Sequence, residues 1–476
     1  MLQDKYRIKR VAKFLKDSQT NKMNVKNTVI VSDLHLTETK IVGPNHRSWM
    51  AYKKISTAVD LGFAKFLSHI NKNVDGTIEL VFNGDTFDFD LVLSTPKDIS
   101  INFLSKKRGL GYEEWMSLFK INVIIDGHPV FFKALKDFIA QGHKVVIISG
   151  NHDVELYWKS VQNRLRSELD TNEQSLVFCR WFYISNNDTY ISHGHQYDPN
   201  CVIRDIINPT IRVKDCPVIR VPFGNLAAKY IANGIGWLNP HSKKDCILSA
   251  KDYLRLFFRH LRSQPLMGWS WLWGSIVAFY ISIEHHIKQS IKSPFSIENE
   301  ILNIAKNSNT TPSVVYKLEA LKVASTCTNP FTIFRELWLD RSSLLFILLF
   351  IAWQVMLHIN IATHVSMLWF IIPFILLLPT LIIYSSNIKS TAFSKPLLTP
   401  ERAEYIFKIT GVDRIVLAHT HDSKHTNIGS IEYINSGSWA PEFSDINCKV
   451  NSNDNKYVLI TNNSDNRQAS LINWPL

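Results

Sequence analysis

Cysteine is scarce in this chain. Six are spread over 476 residues, at Cys179, Cys201, Cys216, Cys246, Cys327 and Cys448, and no C-x-x-C pair is among them. That excludes a disulfide-stapled secreted scaffold and gives no support to a structural zinc or dithiol redox site. The thiols read as small buried residues of a reducing compartment. Internal repeats and low-complexity tracts are absent, and the apolar share of 46% is too high for a disordered chain. The basic stretch from Lys5 to Lys22 has no continuous apolar run, so a secretory signal is not expected and the cytosol is the expected starting compartment. Charge of either sign is missing from Ser342 to Ile388, and again from Ser263 to Ile283. Elsewhere it is plentiful: Lys and Arg number 53 against 41 Asp and Glu, a net charge of +12. Such an excess permits an anionic membrane or a nucleic acid as partner and says nothing about catalysis. The mean hydropathy of −0.04 excludes a polytopic transporter but averages over unlike parts.

What is present from Asn27 onward is a repeated form, a β-branched run that ends abruptly in a polar cluster: TVIVS then DLHL, IELVF then NGDTFD, KVVIIS then GNHD, TYIS then HGH. Each run has strand length and composition, and helix-like stretches such as HPVFFKALKDFIAQG lie between them, which predicts an α/β fold. Sites in such sheets collect at the carboxyl ends of strands, so clusters distant in sequence can meet. The form stops near Pro199 and resumes at about Thr399 with RIVLAHTH and IEYINSGSW. The expected organisation is a basic leader (1–26), a first catalytic part (27–200), a mainly helical insertion (201–398) and a C-terminal catalytic part (399–476).

The uncharged run at 342–388 divides into SSLLFILLFIAWQVML, a short HINIATHV, and SMLWFIIPFILLLPTLIIY. Its halves approach or reach the roughly 17 to 25 residues that a bilayer-spanning helix needs, so a transmembrane hairpin is expected at 342–384. A third crossing at 263–283 would put the first and last clusters on opposite sides of the membrane. Parity therefore favours an interfacial helix there, in keeping with its Trp269, Trp271 and Trp273. A crossing at 263–283 paired with a single later crossing, or core helices of a large soluble domain, are the alternatives. Lys251, Arg255, Arg259, Arg262, Arg341 and Lys389 flank these segments and predict that the catalytic part faces the cytoplasm.

The clusters bring Asp33 and His35, Asp85, Asn151 with His152, His193 with His195, and His419 with His421. Carboxylates and imidazoles with one amide oxygen suit borderline cations, Mn²⁺ first and Fe or Zn²⁺ as alternatives. Seven such groups exceed one ion's needs. Two divalent ions about 3.5 to 4 Å apart, sharing one carboxylate, would use them all.

In this order, D-x-H (Asp33-Leu34-His35), G-D (Gly84-Asp85), G-N-H-D (Gly150-Asn151-His152-Asp153), H-G-H (His193-Gly194-His195) and H-x-H (His419-Thr420-His421) resemble the calcineurin-like metallophosphoesterases. The resemblance covers roughly 27–200 and 399–440. It implies a four-layer α-β-β-α sandwich, here with a large helical insertion containing the hairpin. It further implies that Asp33, His35 and His421 hold one metal, that Asn151, His193 and His419 hold the other, and that Asp85 bridges them. The same resemblance makes a metal-bridging hydroxide the nucleophile. His152 would stabilise the scissile phosphate and protonate the leaving oxygen, with Asp153 orienting it. His195 and Arg47 are candidate substrate contacts. Asp88, Asp90 and Asp198 are candidate hydrogen-bond partners behind the site, with ordinary turn roles as the alternative. The Asn435–Trp439 stretch should pack beneath the site, while His46, His128, His143, His358 and His364 read as structural.

Within the family, SDLHL and the membrane link are similar to the UDP-2,3-diacylglucosamine hydrolases, from which the chain differs in carrying His152 where those enzymes usually have Arg, and in its hairpin. The expected function is that of a membrane-attached metal-dependent phosphoesterase acting on a lipid- or nucleotide-linked phosphoester or pyrophosphate. Anionic lipids are the expected partners of its basic flanks, and nucleic acid is not expected. A nuclease of the same superfamily, or a silent membrane scaffold, is the alternative.

Overall fold

Strands form where the β-branched runs predict them, and both faces of each central strand are covered, which is why nearly every position can be apolar. β1 (Asn27–Val31), β2 (Ile78–Asn83), β3 (Lys144–Ile148) and β4 (Leu176–Cys179) run parallel, with Val29 beside Leu80, Val81 beside Val146 and Ile147 beside Phe178. β5 (Phe182–Ser185) and β6 (Thr189–Ser192) begin a second sheet, and β7 (Thr210–Val213) with β8 (Cys216–Ile219) forms a separate ribbon. β9 (Arg414–Leu417), β10 (Lys424–Ile428) and β11 (Ile431–Asn435) complete the second sheet, while β12 (Lys456–Asn463) and β13 (Asn466–Asn473) return to the first. The orders are β13-β12-β1-β2-β3-β4 and β10-β11-β9-β6-β5. This computed structural model describes residues 27–39, 50–233, 266–291, 294–388, 398–441, 455–463 and 466–475. The basic leader, His46, Arg47, the cationic run 251–262, Ser263 to Pro265 and Lys389 lie outside them.

Alternation along the strands sorts side chains into two cores. Ile30, Val81, Val146 and Ile148 of the first sheet meet Tyr183, Ile191, Val416 and Ile434 of the second, so the sheets pack face to face. On the opposite face Val29, Val31, Leu80 and Phe82 receive Phe63, Phe66, Leu67 and Ile70 from the helix Met50–Asn73, at the i, i+3, i+4, i+7 spacing of an apolar stripe. The helix Pro400–Thr410 packs against β11 of the second sheet through buried Ala403 and Ile406. Its ends are sharp: Thr399 accepts from the Arg402 amide at 3.3 Å, Pro400 opens the first turn, and Gly411 closes it at φ 72°. That stop delivers the chain directly into β9. β6 and β9 are parallel neighbours, with Tyr190 beside Ile415, although the whole insertion separates them in sequence.

Among the described residues two helices are long and apolar enough to cross a membrane, Leu339–Thr363 and Leu368–Asn387. Only 17% of the first helix's most apolar window is buried and none of the second's, so neither is a core helix of a soluble domain. The first runs further than the expected SSLLFILLFIAWQVML, because the following HINIAT holds no helix breaker and stays helical to Thr363. The two pack against each other, and their open ends are tied: the Arg341 guanidinium donates to the Ile388 carbonyl at 2.9 Å and the Tyr384 hydroxyl to Asp340 at 2.9 Å. The expected interfacial segment forms the helix Met267–Ile287. Gly274, Ser275, Ala278, Ser282 and His285 are buried along one side, while Leu266, just before it, and Trp269, Trp273, Tyr280 and Ile287 stand exposed. The insertion is not all helix, since the β7–β8 ribbon belongs to it.

Candidate metal centre

All five polar clusters sit at carboxyl ends: after β1, β2 and β3 in the first sheet and after β6 and β9 in the second. Contacts across the sheets bring the ends together. His193 Nε2 lies 3.1 Å from Asp85 Oδ2, and His421 Nε2 lies 3.1 Å from Asp33 Oδ1. Asp33, His35, Asp85, His419 and His421 all adopt positive φ, between 48° and 69°, a region that costs roughly 1 to 3 kcal/mol for a residue with a Cβ. The surrounding hydrogen bonds hold them there. Asp33 and His35 donate their amides to the carbonyls of Gly84 and Asp85 at 3.1 and 2.9 Å. The Asn435–Trp439 turn grips Asp33 from below, with the amides of Trp439 and Ala440 donating to its carbonyl at 3.2 and 2.7 Å.

Two glycines allow the close approach. A Cβ on Gly84 would stand 2.4 Å from the His193 ring, and one on Gly150 would stand 2.1 Å from Asp85 Oδ1 and 2.6 Å from its backbone nitrogen. Backbone crowding of that kind leaves nothing free to give way. Gly150→Ala is therefore expected to displace Asp85 and lower metal content while the chain still folds. Equilibrium dialysis against Mn²⁺ with a parallel melting curve checks this, and wild-type metal content in the variant would refute it.

Four sets of donor atoms lie within 4.8 Å of one another: Asp33, His35 and His421; Asp85, His193 and His419; His35, Asp88 and His152; and Asp198, Cys201 and His419, which shares His419 with the second. His35 Nε2 is 3.9 Å from Asp33 Oδ1 and 3.8 Å from Asp85 Oδ2. Those separations are too long for hydrogen bonds, yet two donors each about 2.1 Å from one ion can stand up to about 4.2 Å apart. Asn151 Oδ1 is a buried oxygen without a hydrogen-bond partner among the described residues, the kind of atom a cation would satisfy. Tautomers are also arranged. Asn83's carbonyl accepts from His193 Nδ1 at 2.9 Å, leaving Nε2 toward Asp85, and Asp198 takes His419 Nε2 at 3.0 Å, leaving Nδ1 for the cleft. The donor set thus fits two borderline divalent ions, with Asp85 beside both groups.

Electrostatics follow the packing. Burial works against charge on Asp85, but His193 and His152 outweigh it and hold its carboxyl well below the usual range. Burial lowers His35 more than Asp88 and Asp85 raise it, which keeps the imidazole neutral as a ligand must be. His152 goes the other way: burial opposes its charge, but Asp88 and Asp85 carry it to about 10. The carboxylates around it thus favour the protonated ring.

One expected role is corrected. Asp153 does not orient His152. Its carboxylate faces inward and accepts from the backbone amides of Gly150 at 2.6 Å, Thr86 at 2.9 Å and Phe87 at 3.4 Å, tying the β2 and β3 loops together. Burial, helped by Asp85, pushes that carboxyl up to about 8. The partner of His152 is Asp88, whose Oδ2 lies 3.4 Å from His152 Nδ1 and 3.5 Å from His35 Nδ1. Asp88 and Asp90 are buried, not solvated turn residues. The alternation in DTFDFD, with Phe89 between them in the core, was the available signal. His195 is completely buried 5.5 Å from the His193 ring and joins none of the donor sets; burial and His193 push its pKa well down.

No protein-family model matches the chain, and no curated protein matches it.

Proposed function

We propose that the chain is a membrane-attached, dinuclear metal-dependent phosphoesterase of calcineurin-like type, its facing sheets and outer helices forming the four-layer sandwich of that superfamily. The observation that carries the reading is the convergence of five strand-end clusters on Asp85, with a donor group on either side of it. Asp33, His35 and His421 would hold one ion and Asn151, His193 and His419 the second, with Asp85 shared. Mn²⁺ is the first choice and Fe or Zn²⁺ the alternatives. Two such ions, when bound, polarise a phosphoryl group and make water a nucleophile at neutral pH. The chain's own part is proton management and positioning. Partly exposed at the cleft, His152 holds a proton on a ring oriented by Asp88, and can deliver it to the leaving oxygen.

The apolar hairpin supports a substrate met at a lipid surface, a lipid-linked or nucleotide-linked phosphoester or pyrophosphate. Arg341 and Lys389 flank the hairpin while its connecting turn has neither Lys nor Arg, a bias that argues for a catalytic part on the cytoplasmic side. The test is a hydrolysis panel with purified full-length protein and Mn²⁺, covering lipid-linked pyrophosphates, nucleotides, phosphomonoesters and DNA. Chelator-sensitive cleavage of a lipid- or nucleotide-linked substrate is expected. Cleavage confined to DNA, with a steep loss of affinity as salt rises, would replace this reading with a nuclease. A protein that binds Mn²⁺ yet hydrolyses none of these would point to a scaffold.

A further inference from the structure

Asn151 touches a residue that no strand-end cluster contains. Asn225 lies in the helical stretch Phe223–Ala227, which continues as a wider turn through Ala232 and belongs to the insertion. It is buried, and its Nδ2 donates to Asp90 Oδ2 at 2.8 Å and to the Asn151 carbonyl at 2.8 Å. Both partners are oxygens that can only accept, so the Asn225 amide has one allowed orientation and its Oδ1 must face the other way. That oxygen meets Asn151 Nδ2 at 3.4 Å. The Asn151 amide is thereby fixed in turn: its NH₂ points to Asn225, and its Oδ1, which has no hydrogen-bond partner among the described residues, points elsewhere.

Behind Asn225 the anchor is firm. Asp90 also accepts the Tyr112 hydroxyl at 2.7 Å, and Asn233 Nδ2 donates to the Asp90 carbonyl at 2.8 Å. The same helical stretch packs on Met267–Ile287 so closely that a Cβ on Gly274 would come 2.2 Å from the Tyr230 carbonyl.

We propose that Asn225 is a positioning residue that turns the oxygen of Asn151 toward a divalent cation, so that the insertion itself completes one of the two metal sites. The proposal rests on the two-metal reading of the centre. Without Asn225, Asn151 can flip and present its NH₂, which repels a cation.

The test is a Mn²⁺ binding isotherm on the full-length protein in detergent, for wild type, Asn225→Ala and Asn225→Asp, each with a melting curve. Wild type is expected to bind two ions. Asn225→Ala should weaken one of them by about 10- to 100-fold and leave the other unchanged. Asn225→Asp keeps an acceptor toward Asn151 but sets an oxygen against Asp90 Oδ2 and the Asn151 carbonyl, so it should weaken the same ion as Asn225→Ala and leave the other within a few-fold of wild type. Equal binding by wild type and Asn225→Ala would overturn the positioning role while leaving the two-metal reading intact. So would parallel weakening of both ions in both variants, the mark of a structural defect. A wild-type protein that binds no Mn²⁺ would overturn the two-metal reading, and the proposal with it.

Discussion

Asp85→Ala is expected to abolish hydrolysis and to strip the protein of bound Mn²⁺ in one step. Asp85 reaches toward both donor groups: its Oδ2 is 3.1 Å from His193 Nε2 and 3.8 Å from His35 Nε2, and its Oδ1 accepts the His152 amide at 2.8 Å. On the proposed two-metal reading, removing it would take a ligand from each ion. The fall in turnover should reach roughly three orders of magnitude or more, since the metals supply several kcal/mol of charge stabilisation and each 1.4 kcal/mol is about tenfold in rate. Metal analysis of the dialysed variant, with rates on the substrate that the panel identifies, provides the check. Full Mn²⁺-dependent activity in Asp85→Ala would sink the shared-carboxylate assignment.

His152→Ala separates the chemistry from the metals. Both ions should remain bound, because the ligands proposed for them do not include His152, although its ring lies with Asp88 and His35 in a further donor set. Turnover should fall about 10²- to 10⁴-fold, the usual contribution of a positioned general acid. The deficit should shrink on a substrate whose leaving group needs no proton, such as a nitrophenyl ester. An equal loss on good and poor leaving groups would assign His152 to holding the phosphate rather than to proton delivery. Unchanged turnover on both would move the acid to another residue.

The strands and the polar clusters at their ends were readable in the sequence, because both leave local marks. A strand buried on both faces must be apolar throughout, and a site at its end must begin where the apolar run stops, so TVIVS-DLHL and KVVIIS-GNHD announce both at once. The apolar hairpin is equally legible, since a water-facing helix of that length would need charge on at least one side. Partners fixed by tertiary packing left weaker marks or none. Adjacency in sequence suggested Asp153 as the partner of His152, but the tight turn at Gly150 points the two side chains apart, and Asp88 arrives from another loop. Asn225 has no motif at all. The role proposed for it comes from three hydrogen bonds that only the folded chain assembles. β12 and β13 were likewise silent, because a polar antiparallel pair such as KYVLITNN and NRQASLIN does not announce which sheet edge it will join.

The adjacency of β6 and β9 also dictates an order of assembly. A ribosome releases this chain from its N-terminus, so strands β1 to β6 emerge first and the apolar helices follow. Only then do His419 and His421 appear. A centre that requires both histidines cannot exist while the protein is half made. On the proposed reading the apolar hairpin would reach the bilayer before these last two ligands join the site, which would tie activity to arrival at the membrane.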